Sequence, residues 1–104
     1  MPWSADLQHI KDQLIEALIH RCREEVGSRK PICASTDPCR TLGICEEDLD
    51  DVQIDAAAIV GLRPPFPGEP LILPWQGPDV PMTLEDLAAW LAVNGRPISQ
   101  GRDT

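Results

Sequence analysis

The chain has 104 residues, 42% hydrophobic and 25% charged, which suits one domain with one modest core and excludes disorder along its whole length. Its formal charge of -8 and pI near 4.5 oppose phosphate backbones and anionic lipid, so no nucleic-acid or membrane partner is expected, with DNA mimicry the one open exception. No apolar run approaches the ~18–20 residues of a membrane span, and the sequence opens on neither a basic nor a long apolar stretch, so a cytoplasmic protein is expected.

Ser4 is placed to cap a first helix over residues 5–26, with apolar positions Leu7, Ile10, Leu14, Leu18 and Cys22 at spacings of three and four, joined by Ile15, Ile19 and Val26. Asp6, Lys11, Asp12, Glu16, Arg23 and Glu24 fall mainly on its wet side, and Gly27 supplies the stop. Pro31, Pro38 and small polar residues make 28–41 a connecting loop, with one helical turn expected to start at Asp37-Pro38. Five of the nine basic residues lie between Arg21 and Arg40. They read either as a patch for an acidic partner or, preferably, as internal balance for the acids that follow.

Those acids are Glu46, Glu47, Asp48, Asp50 and Asp51, five carboxylates in six residues around Leu49. Leu49, Val52, Ala56, Ile59 and Val60 continue at helical spacing, so a second helix is expected at about 47–60. Negative charge is favourable in its first turn, where free N–H groups carry the positive end of the helix dipole. A calcium loop is the sharper alternative, but the run lacks the alternating Asp, central Gly and distal Glu of an EF-hand.

Seven of the eleven prolines fall between Arg63 and Pro81, which excludes regular helix there. Phe66, Leu71, Ile72, Leu73, Trp75 and Val80 make that stretch too apolar for a plain linker. It should wrap over the helices across 63–82, with at most a short extended piece at Leu71–Leu73. The last helix, 84–94, is the clearest local signal: Thr83 as N-cap, Asp86 at the third position as in a capping box, and Met82 stapling onto Leu87. Leu84, Leu87, Ala88 and Leu91 face inward with Trp90 beside them, and Asn94-Gly95 before Pro97 ends the helix. Trp3, Trp75 and Trp90 read as packing residues, and 99–104 as a frayed tail after a domain of 1–98.

Cys22, Cys33, Cys39 and Cys45 form no CxxC pair, so reduced and mostly packed thiols are the preferred reading. A zinc site from Cys33, Cys39, Cys45 and His20 is the alternative, and a disulfide requires an oxidising compartment. His9 and His20 lie about three turns apart on one helix, there is no tyrosine and no phosphate-binding glycine loop, and nothing orients a Cys/His pair. No enzyme and no cofactor are expected.

The order of elements resembles that of acyl carrier proteins: a long helix, a long loop, Leu42-Gly43-Ile44, an acidic helix start, an irregular stretch and Met82-Thr83-Leu84-Glu85-Asp86-Leu87. Allowing two inserted residues after Ile44, Glu47 to Ile54 falls on the carrier motif, with Asp48 where the modified serine would stand. Aspartate has no hydroxyl to carry a phosphopantetheine arm. The sequence is similar to small bacterial acyl-carrier-like proteins without that serine, in which the last helix ends in a Gly-Arg step as at Gly95-Arg96 here. The resemblance implies an all-α, three- to four-helix bundle with a Pro-rich irregular segment before the last helix. It also implies recognition through the acidic helix. The expected function is a non-catalytic module that docks Glu46, Glu47, Asp48, Asp50 and Asp51 on a basic patch of a bacterial protein, as a regulator, immunity protein or inhibitor. The alternatives are a carrier modified at an off-motif serine such as Ser35, and the Cys/His zinc regulator.

Overall fold

The computed structural model describes residues 5–27, 31–66, 68 and 82–98. Ser4, Trp3, Trp75, most of the Pro-rich wrap including Leu71–Leu73, and the 99–104 tail lie outside the described residues. The described part is mostly helical: α1 (Ala5–Val26), α2 (Pro38–Leu42), α3 (Glu46–Ile59) and α4 (Leu84–Asn94), with a two-residue strand after each of the last two helices, β1 (Leu62–Arg63) and β2 (Arg96–Pro97).

α1 is the central element and packs along both α4 and α3. Its repeat of three and four buries Leu14, Leu18 and Cys22 completely, with Ala17 beside them and Leu7, Ile10, Ile15, Ile19 and Val26 partly covered. α4 brings Leu84, Leu87, Ala88 and Leu91, α3 brings Val52 and Ala56, and the segments between helices add Ile32 and Ile44. Each fully buried leucine contributes about 1.5–3 kcal/mol of transfer free energy, so this shared seam outweighs any single polar contact. Lys11 departs from its expected wet side. Its stem lies between helices, leaving the side chain 14% exposed, while Nζ reaches Glu85 Oε2 on α4 at 3.2 Å.

The helix ends follow local chemistry. Gly27 takes the left-handed conformation (φ 81°) and donates to the Arg23 carbonyl, which stops α1 where expected. Asp37 Oδ1 accepts from the N–H groups of Cys39 and Arg40, capping the single turn of α2 with Pro38 inside it. At α4 the Thr83 hydroxyl accepts from Asp86 N–H, and the Asp86 carboxylate accepts from Thr83 N–H. The two N–H groups this box leaves over, Leu84 and Glu85, donate to the carbonyls of Thr36 and Ala34. The 31–36 segment is thereby a lid on the start of α4, and all its early donors are satisfied.

Two further features depart from the sequence reading. Leu62 pairs with Pro97 and Arg63 with Arg96 in a short antiparallel ribbon, extended by Ile98 N–H to the Gly61 carbonyl. Gly95 does not take a left-handed helix cap. Its φ is -60°, its N–H donates to the Leu91 carbonyl, and a Cβ there would stand 2.5 Å from that oxygen and 3.2 Å from Leu62 Cδ1. Glycine is required first by the close approach of the helix's own Leu91 carbonyl and then by Leu62 of the ribbon, not by handedness.

Thr83→Ala should lower stability by about 1 kcal/mol through loss of the cap, a fall in Tm of about 5 °C on thermal melting. Gly95→Ala should cost about 1–3 kcal/mol by overpacking the helix–ribbon junction, measured as a shift of the urea midpoint at constant slope.

Candidate functional site

α3 begins from Cys45, which has extended backbone angles and makes no side-chain capping bond. Glu46, Glu47 and Asp48 fill the first turn, where their charge complements the exposed N–H groups as the sequence pattern implied. Glu46 itself has φ 52°, the only non-glycine residue with positive φ among those described. The buried stripe runs through Val52 and Ala56, includes Ala57, and is flanked by Leu49 and Val60. Ile59, expected in that stripe, sits at its edge in the last helical position and is 66% exposed.

The opposite face is set by the same periodicity. At 100° per residue, Glu47, Asp51 and Ile54 stand at i, i+4 and i+7 and form one outward ridge. Asp50 flanks it on one side and Asp48 and Asp55 on the other. Glu46, Glu47, Asp48, Asp50 and Asp51 are all exposed. At the C-terminal end of this charge Ile54 is 53% exposed, one turn on from both Asp50 and Asp51. The sequence reading named the five carboxylates and missed Ile54, although its absence from the Leu49–Val52–Ala56 spacing was the available signal.

Of the basic stretch, Arg21 and Arg40 are ion-paired with carboxylates other than those five. Arg21 Nε donates to Asp55 Oδ2 at 2.8 Å and Nη1 to Glu25 Oε1 at 3.1 Å. These carboxylates raise the already high guanidinium pKa further, Asp55 contributing most. Arg40 reaches only Asp37, at 3.9 Å. Among the described residues no ion pair involves Glu46, Glu47, Asp48, Asp50 or Asp51. Arg29 and Lys30 lie outside the described residues.

The cysteines also differ from the expected packed thiols. Only Cys22 fits that description: it is fully buried, and desolvation pushes its thiol up to about 11. Cys39 and Cys45 form a disulfide from the turn of α2 to the N-cap of α3. Cys33 is exposed and free, and its hydrogen bonds with Ser35 (3.1 Å) and then Thr36 lower its thiol pKa from the ordinary value. The disulfide withdraws two of the four ligands of the zinc alternative. No group of three or more His, Cys, Asp or Glu side chains among the described residues is arranged to hold a metal ion, calcium included. Ser35, the serine of the off-motif carrier alternative, lies in the turn before α2.

A shallow groove of about 320 Å³ lies beside the end of α3, lined by Gln13, Glu16, Ala17, His20, Ile59 and Val60. His20 is exposed and approaches Glu24 at 3.6 Å. The groove brings together no nucleophile and base. No described helix is long and apolar enough to cross a membrane.

Comparison of the chain with models of known protein families, with curated proteins and with solved structures returned no match.

Iodoacetamide at neutral pH should alkylate Cys33 rapidly in the native, oxidised protein and Cys22 only after unfolding, read by intact mass and peptide mapping. Equal labelling rates for the two would contradict the burial of Cys22 in the core.

Proposed function

We propose that the chain is a non-catalytic binding module that docks the outer face of α3 on a basic surface of a bacterial protein, regulating or inhibiting it. One observation carries this reading: five exposed carboxylates without an ion pair among the described residues lead along α3 to a half-exposed isoleucine. Unpaired acids on one ridge attract and orient a cationic partner, and Ile54 offers the apolar contact from which most affinity comes. The acids contribute chiefly to encounter rate and selectivity, an effect that salt screens over about 8 Å at physiological strength.

The acyl-carrier-like reading points to the same surface. On the sequence resemblance, Asp48, which lies in the first turn of α3, would stand at the position where a carrier presents its modified serine. On this reading the module keeps the acidic recognition helix and has lost the attachment point, so the partner responds to being bound and not to a cargo.

Wild-type chain immobilised as bait should retain a defined set of proteins from bacterial lysate. The set should elute with salt and be lost with Glu47→Lys/Asp51→Lys and, separately, with Ile54→Asp, each weakening binding at least tenfold, about 1.4 kcal/mol. Tm should change little, because none of the three side chains is buried. Retention of the same proteins by both variants would remove α3 from the interface.

A further inference from the structure

The start of α3 is built unlike those of the other helices that follow a loop. α2 has Asp37 accepting from two N–H groups, and α4 has a reciprocal capping box plus two carbonyls of the 31–36 segment. α3 has Cys45, with no side-chain cap, followed by Glu46 in the left-handed region, a conformation that costs an L-residue with a Cβ and favours glycine. Its first turn is closed by Asp48 N–H and Leu49 N–H, both donating to the Cys45 carbonyl, at 3.1 and 3.4 Å. Two things hold that carbonyl in place: the buried side chain of Ile44 on one side, and the bond from Cys45 to Cys39. Cys39 is well anchored, because its N–H is bound by Asp37 and its carbonyl accepts from Gly43 N–H.

We propose that the Cys39–Cys45 disulfide is a reducible clamp that stands in for the missing cap and holds the first turn of α3 in helical register. The bond is open to attack: Cys39 is exposed and Cys45 half-buried. The thiolate of a small dithiol reductant attacks Cys39 Sγ, the S–S bond breaks, and Cys45 leaves as a thiolate that takes up a proton. The second thiolate of the reductant then attacks its own sulfur in the mixed disulfide and releases Cys39, also protonated. Two electrons and two protons pass to the protein, and the dithiol leaves as a disulfide. With the clamp open, Cys45 loses its tether to α2 and Glu46 can leave the left-handed region. The turn carrying Glu46, Glu47 and Asp48 then frays from its end, while the seam of α1 with α4 is unaffected. The clamp is a property of the chain alone. Its consequence for docking rests on the function proposed above, so the test uses no partner.

Amide hydrogen exchange is measured by NMR on the full chain, oxidised and after reduction with dithiothreitol, with thiols counted by alkylation and mass under denaturing conditions. The oxidised chain should show two free thiols and the reduced chain four. On reduction, exchange at Asp48, Leu49, Asp50 and Asp51 should accelerate at least tenfold while Leu87 to Leu91 stay unchanged. Cys39→Ser/Cys45→Ser should show the fast pattern in both conditions, and reoxidation of the wild type should restore the slow one. Four thiols in chain prepared under oxidising conditions, unchanged exchange at 48–51, or equal acceleration of α3 and α4 would each overturn the proposal. The charge-reversal capture experiment can fail without touching this result, and the reverse also holds.

Discussion

Everything in this small domain depends on the fully buried stripe Leu14, Leu18 and Cys22 of α1, which is shared between two neighbours. A single helix has one apolar stripe wide enough for one partner. α1 covers two because its apolar positions spread from Leu7, Leu14 and Leu18 to Ile15, Ile19 and Val26 at the margins. α4 is buried over most of its circumference, Ala89, Ala92 and Asn94 included, whereas α3 buries only the side turned toward α1. For α3 that requirement places Val52 and Ala56 inward and leaves Glu47, Asp51 and Ile54 outward. The proposed docking face is thus a by-product of core packing, fixed in direction by residues that never touch the solvent.

The second constraint is the supply of backbone donors at helix starts. Each helix begins with N–H groups that need partners, and the chain solves the problem three times in different ways. An aspartate serves α2 and a Thr/Asp box with loop carbonyls serves α4. At α3, acids in the first turn offer favourable charge without a geometric cap. The helix with the least local insurance is also the one with the most charge, and it is the one fastened to its neighbour by a covalent bond.

Much of the helical frame was legible in the sequence because its signals are local. The spacing of Leu14, Leu18 and Cys22, the Gly27 stop, the Asp37-Pro38 turn and the Thr83/Asp86 box each act within a few residues. The five exposed carboxylates were legible for the same reason. Features made by distant residues were not. The β1–β2 ribbon joins Leu62 to Pro97 through two residues a side, too short for any alternating pattern. The Arg21–Asp55 pair and the Lys11–Glu85 contact depend on helix rotation. Cys39 and Cys45 meet because a one-turn helix and Gly43 double the chain back on itself, which spacing alone does not reveal. Ile59 left the core because the α3 stripe turns toward Ala57.

The ribbon also governs how this gene can change. One end of the Pro-rich stretch leaves from Leu62–Arg63, pinned to Arg96–Pro97, and the other arrives at Leu84 and Glu85, pinned to the carbonyls of Thr36 and Ala34. A substitution at either anchor is therefore felt at two helices. Breaking the Leu62–Pro97 ribbon releases the end of α4 together with the end of α3, and a change within 31–36 uncovers the start of α4 from outside it. Positions that look tolerant from their own exposure are thus held by the partner strand or helix they fasten.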